Sequence, residues 1–362
     1  MKICIIGYSA KKIAPYLQYY IDYFLDQNVN FDFITREIDS NHLDSSVLSN
    51  QYVIESIRSN NIIGKFRNIV EWKIKVEKII KENKYDGLVL LTGYPTIILS
   101  KFIIKNYCKR YIVDIRDYIS LFGNVFLKNR FIDALNNAAF VVVSSDGFRT
   151  WLPSINHILT VHNCPNKCIT SKKCTLVKSK IVRIGYLGVI SYIDKNIKLM
   201  DYFCNEQDFK LVYAGVYDKS ASLQTHVKDR HIDNVVFYGA FNNDDKEELY
   251  ENVDMINAVY GNESLIVSSA LPNKLYDAIL YKKPIIVSEN TFLSKIVEEY
   301  NLGISVDINT NPVNRIREYI RDFNEDLFIL GAKRLLEKCQ RDNNYFMEML
   351  DQFVSGFYGV KE

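Results

Sequence analysis

Short β-branched runs alternate with helical patterns along nearly the whole chain, and the alternation restarts after a break near residues 164–180. The first series of runs is 2-KICII-6, 31-FDFI-34, 86-DGLVLL-91, 111-YIVDI-115, 140-FVVVS-144 and 157-HILTV-161, with helical periodicity over 15–25 and 69–80. The second is 181-IVRIGYL-187, 209-FKLVYAG-215, 234-NVVFYG-239, 254-DMINAV-259 and 284-PIIVS-288, and the chain beyond 311 reads as nearly all helical. This order predicts α/β architecture with parallel sheets covered by helices on both faces. Its restart predicts two doubly wound, Rossmann-like domains, one over 1–165 and one over 166–342. The polar, Ser/Asn-rich segment 35–65 is predicted to be irregular. Asp244 followed by Glu247 predicts a capping box.

At 362 residues, 48% hydrophobic and 24% charged, the chain can build two such cores. A net charge of +2 does not indicate a general affinity for nucleic acid. Residues 1–165 are mildly basic and the remainder mildly acidic. Met1-Lys2 runs directly into a strand, and the longest apolar run, 87–104, is broken by Gly93 and Pro95 and carries Lys101. The expectation is a cytoplasmic protein with neither export signal nor membrane helix, and seven reduced cysteines. Cys164, Cys168 and Cys174 lie near His157 and His162, but without zinc-ligand spacing, so no metal is expected.

Parallel sheets bind ligands beyond the carboxyl ends of their strands. Gly7, Gly93, Gly188, Gly215 and Gly239 sit at such ends, although a turn alone explains any one of them. No GxGxxG follows the first strand, which argues against a dinucleotide-dependent dehydrogenase, and Walker, GxSxG and HExxH motifs are absent.

The stretch 271-LPNKLYDAILYKKP-284 is different. Its apolar spacing and its two prolines predict a short helix starting near Pro272, with Lys274 in the first turn, where the helix dipole disfavours a cation. An anion at the helix tip would remove the conflict, and Asp277, one turn on, is placed to accept from sugar hydroxyls. A solvent-facing Lys274–Asp277 pair explains the spacing equally well.

The residues Pro272, Asn273, Lys274, Leu275, Tyr276, Asp277, Ala278, Lys283, Pro284 and 285-IIV-287 resemble the donor-binding segment of bacterial GT-B glycosyltransferases, especially family 4 and its capsule and lipopolysaccharide relatives. The specific likeness covers about 257–289. The resemblance implies two Rossmann-like domains facing across a cleft, with a final helix over 343–362 packing back on the first. It further implies transfer of a sugar from a UDP- or GDP-type donor to a glycan acceptor, lipid-linked in surface-polysaccharide assembly, with no cofactor or metal. Lys274 would contact the diphosphate and Asp277 the ribose, with Pro272 and Asn273 beside them. Lys195, Gly188 and Gly239 belong to loops that resemble the diphosphate and nucleobase loops. Ser269 stands where the family often has a glutamate, and Glu263 is the candidate replacement. Val189 stands where an arginine is usual.

In the first domain, 113-VDIRDYISL-121 resembles a family segment facing acceptor and donor phosphates. Arg116 would stabilise the leaving phosphate and Asp117 would act as base if the reaction inverts; an Arg116–Asp117 pair fixing the loop is the competing reading. Gly7, Tyr8 and Gly93 fall on the acceptor side. Basic segments with interleaved apolar residues, Lys11-Lys12, 65–75 and 101–110, suit peripheral contact with anionic membrane as well as solvated helices. A nucleotide-sugar 2-epimerase and a non-catalytic nucleotide-sugar-binding scaffold on the same fold remain as alternatives.

Overall fold

The computed structural model describes residues 1–8, 15–37, 50–56, 59, 61–119, 124–152, 154–155, 157–164, 176, 180–216 and 221–357. The chain forms two compact units, Met1–Asn163 with Arg341–Glu362, and Cys164–Gln340.

The first unit is built on seven strands: β1 (Lys2–Gly7), β2 (Asn30–Glu37), β3 (Asn50–Glu55), β4 (Gly87–Leu91), β5 (Tyr111–Ile115), β6 (Phe140–Val143) and β7 (Ile158–Thr160). All pair in parallel in the order β3-β2-β1-β4-β5-β6-β7. Strands β4, β5 and β6 are buried at every position, as expected of a sheet covered on both faces. The helices are α1 (Pro15–Asp26), α2 (Ile62–Asn83), α3 (Gly93–Tyr107) and α4 (Val125–Asn136). One face of the sheet packs Ile3, Ile5, Val89 and Ile112 against Tyr20 and Phe24 of α1.

The second unit repeats the plan with β8 (Val182–Leu187), β9 (Phe209–Ala214), β10 (Val235–Gly239), β11 (Met255–Ala258), β12 (Ile285–Ser288) and β13 (Gly303–Val306). These are again parallel, in the order β10-β9-β8-β11-β12-β13. Its helices are α5 (Ile193–Phe203), α6 (Ala221–Asp229), α7 (Lys246–Glu251), α8 (Leu265–Ser269), α9 (Asn273–Leu280), α10 (Phe292–Glu299), α11 (Val313–Arg321) and α12 (Glu325–Ser355). Helix α12 serves both units: Phe328, Ala332, Leu335 and Cys339 join the second core, and Phe346, Leu350 and Phe353 the first.

Three local expectations are corrected. The segment 35–65 is not simply irregular: β2 runs on to Glu37, β3 adds an edge strand in register with β2, and α2 starts at Ile62. Cross-strand pairing supplies what the polar sequence of β3 lacks. Strand β13, hidden in 303-GISV-306, pairs with β12. The cap of α7 is Asp245, with no side-chain cap hydrogen bond, so the Asp244–Glu247 box does not form. Lys11-Lys12, Cys168, Cys174 and most of the interval 164–180 lie outside the described residues.

Candidate active site

In the second unit the strand order reverses at β8, which lies between β9 and β11. Crevices beyond the carboxyl ends of strands at such a reversal are where open α/β sheets take ligands. Helix α9 delivers a cation there. Pro272 is its N-cap rather than its first helical residue, in extended conformation (φ −76°, ψ 156°). Leu275, Ala278 and Ile279 pack into the core and set the helix rotation.

That rotation buries Lys274 to 7% exposure. Its Nζ donates to the Asn257 carbonyl of β11 at 3.1 Å and lies 3.0 Å from the ring centroid of Tyr186 on β8. Tyr260 is 5.3 Å away on the same ammonium. Lys274 thus bridges the two strands at the reversal. A lysine has three N–H donors, and among the described residues the Asn257 carbonyl is the one hydrogen-bond acceptor it meets. Burial drives its pKa well below the usual lysine range, against the opposing pull of Asp277. A desolvated cation with unspent donors, in a helix's first turn, is short of an anion.

Asp277 does not pair with it, so the solvent-facing Lys274–Asp277 arrangement is absent. Its carboxylate accepts from Lys246 Nζ at 2.7 Å and from the Tyr250 hydroxyl at 2.8 Å. Burial, then the Asp277 charge, pushes the Tyr250 pKa well up. Lys246 and Tyr250 went unread in the sequence; their one signal was an i,i+4 pair on α7, one face of one helix. Asn273, the first residue of α9, is exposed.

Lys195 stands in the first turn of α5. Its ammonium is hydrogen-bonded to Glu263 and lies 3.2 Å from Asp194. The hydrogen bond raises the Lys195 pKa and lowers that of Glu263. Glu263 is therefore a counterion of Lys195 and not a free acid. Ser269 is buried, its hydroxyl donating to the Leu265 carbonyl of its own helix.

Gly188, Gly215 and Gly239 follow or end β8, β9 and β10, which are neighbours in the sheet. A Cβ on Gly215 would fall 1.7 Å from the Gly188 carbonyl oxygen, so only glycine lets these turns approach. Gly188 (φ +116°) and Gly239 (φ +77°) have open space where a side chain would stand. Val189 and Tyr238 beside them are exposed.

In the first unit, Arg116 pairs with Asp114 of β5 rather than with Asp117. Nε reaches Oδ1 at 2.5 Å and a terminal nitrogen reaches Oδ2 at 2.8 Å, while the other donates to the Val161 carbonyl at 3.1 Å. The guanidinium lies over the Tyr16 ring at 4.8 Å, and Asp114 also accepts from Tyr20. Those donors hold the strand ends together instead of standing free for phosphate. Asp117 is exposed; partial loss of hydration raises its pKa and Arg116 pulls it down. Tyr8, after β1, stacks on Tyr94 of α3 at 5.8 Å, with the Arg36 guanidinium 4.7 Å from its ring. Gly93 opens α3, and a Cβ there would strike Ile119 at 1.7 Å, so internal packing demands that glycine. Gly7, at the end of β1, meets only ordinary contact with Phe33. His162 is held by Asp342 at 3.0 Å.

Residues 176–334 match the family model described as "Glycosyl transferases group 1". None of the curated proteins compared with it matches the chain. Among solved structures it is similar to sucrose-phosphate synthase from Thermosynechococcus elongatus (TM-score 0.70, 12% identity, 100% of each chain covered). HepE of Anabaena, in complex with UDP and glucose, gives 0.66 at 14% identity, covering 97% of this chain and 100% of that one. The lipopolysaccharide outer core galactosyltransferase WaaB gives 0.67 at 14%, covering 98% and 99%. Residues 176–334 thus form a group 1 glycosyl transferase domain that spans the Lys274 site, and the two Rossmann-like units in succession give the chain the GT-B fold.

Proposed function

We propose that the protein moves a hexosyl group from a UDP- or GDP-sugar to a lipid-linked or other surface-glycan acceptor, as a peripheral protein at the inner face of the membrane and without a metal ion. The observation that carries the donor half of this reading is the Lys274 ammonium, buried at the β8/β11 reversal with donors unspent. The UDP bound in HepE supports the choice of donor class.

In the reaction the bond from the anomeric carbon to the diphosphate breaks, its electron pair leaves on the diphosphate oxygen, and the acceptor hydroxyl supplies the new C–O bond and releases a proton. The barrier falls where fixed positive charge meets the departing oxygens. Lys274 and the first amides of α9 supply that charge, and Lys195 adds to it once Glu263 yields. The open backbone at Gly188 and Gly239 suits close approach of phosphate and base. Asp277, held by Lys246 and Tyr250, accepts from the ribose. Arg116, engaged by Asp114, steadies the turn that carries Asp117, the proposed base for the acceptor hydroxyl, whose raised pKa favours that work.

The test is incubation with a panel of nucleotide-sugars, with and without lipid-linked glycan acceptors. Nucleoside diphosphate released only when acceptor is present, with a glycosylated product, is expected. Release without product, or an epimerised donor, would refute the assignment.

A further inference from the structure

Helix α2 buries Asn68, Trp72, Val76 and Ile80, one residue in every four. Its other side is apolar as well. Ile62, Ile63, Phe66 and Ile74 are 85, 81, 66 and 62% exposed, and Val70 lies exposed between them. Residues 62, 66, 70 and 74 share one side of the helix and form a stripe of about 18 Å. Contiguous exposed apolar surface of this kind marks an interaction site. The helix also carries Lys65, Arg67, Lys73, Lys75, Lys78 and Lys81 against Glu71, Glu77 and Glu82. The three acids are taken up in i,i+4 pairs with Arg67, Lys73 and Lys78. Lys65, Lys75 and Lys81 are in no ion pair among the described residues.

We propose that this face of α2 docks the protein on an anionic phospholipid surface, with Phe66 and the isoleucines entering the headgroup boundary and the lysines reaching lipid phosphates. Apolar side chains flanked by long cationic ones are what an interfacial helix presents to such a surface. A second copy of the chain is the poorer occupant, because a two-fold contact through α2 would set two cation-rich helices against each other. The inference rests on the peripheral location proposed above and names the element responsible for it. It does not depend on the donor site.

Flotation of the full chain with vesicles of phosphatidylcholine alone, or with about a third phosphatidylglycerol, is the test. Binding to the anionic vesicles, lost at high salt and weak on the neutral ones, is expected. Phe66→Asp combined with Ile74→Asp should lower it at least about tenfold. Lys65→Glu with Lys75→Glu should lower it similarly while keeping the stripe. UDP and GDP binding, measured on the same variants, should stay as in the native chain, so that failure of docking and failure of the donor reading are told apart. Absence of vesicle binding by the native chain overturns the proposal, as does binding that both double variants retain. A concentration-dependent dimer abolished by the aspartates would instead assign the face to a second copy.

Discussion

Replacing Lys274 with methionine should make the protein more stable and a poorer nucleotide binder. The side chain keeps a similar length, so the core around Tyr186 stays filled. What disappears is a buried ammonium whose pKa is driven well below the usual range by desolvation. Substituting apolar groups for buried charge commonly stabilises by ~1–4 kcal/mol, and a gain in that range is expected in urea unfolding at neutral pH. The pH dependence has a definite sign. With the folded pKa depressed, the unfolded chain binds more protons between the folded and unfolded values, so the native protein gains stability as pH rises through that window. The methionine variant lacks this rise. Binding moves the other way, because one charge-assisted hydrogen bond contributes ~1.5–3 kcal/mol. Losing one weakens UDP or GDP binding roughly ten- to a hundredfold. Titration calorimetry in buffers of different ionisation heat should show proton uptake when the native chain binds nucleotide above the depressed pKa. A variant that is less stable, and binds nucleotide as tightly as before, would show that the lysine is structural and refute the reasoning.

Glu263→Gln releases Lys195 and should tighten nucleoside-diphosphate binding, by no more than about fivefold since an exposed ion pair contributes ~0.2–1 kcal/mol; unchanged or weaker binding would take Lys195 out of the site. Asp277→Asn should lower affinity for a ribonucleotide about tenfold and leave its 2′,3′-dideoxy analogue nearly unaffected; equal losses for both would remove the ribose role. Arg116→Ala leaves Asp114 charged and fully buried, and should lower unfolding free energy by ~3–5 kcal/mol with UDP binding in the folded fraction intact. A cost under ~1 kcal/mol would mean the pair holds nothing together.

The sheets were legible because fully buried parallel strands leave unbroken apolar runs, as in 87-GLVLL-91, which survive any uncertainty about ends. Strand β3 was not, since its residues alternate polar and apolar at an edge and gain their conformation from pairing with β2. At the site, local spacing put Lys274 in the first turn of a helix. It gave no hint that Tyr186 and Tyr260, far apart in the chain, would close around it. Separation in sequence likewise hid Lys246 on Asp277 and Glu263 on Lys195, opposite charges that pair with these side chains. The Arg116–Asp114 pair, by contrast, was within reach: Arg116 directly follows β5, and residues two apart in extended backbone point to the same side.

Helix α12 has a consequence for how the chain is made. Phe346, Leu350 and Phe353 complete the core begun by β1 and α1, yet they are synthesised only after the second unit. Until then the nascent polypeptide lacks α12's share of the cover over Ile3, Ile5 and Phe140 through synthesis of the entire second unit, a period when sticky intermediates invite chaperones. Truncation before Phe346 would therefore damage the first unit more than the second.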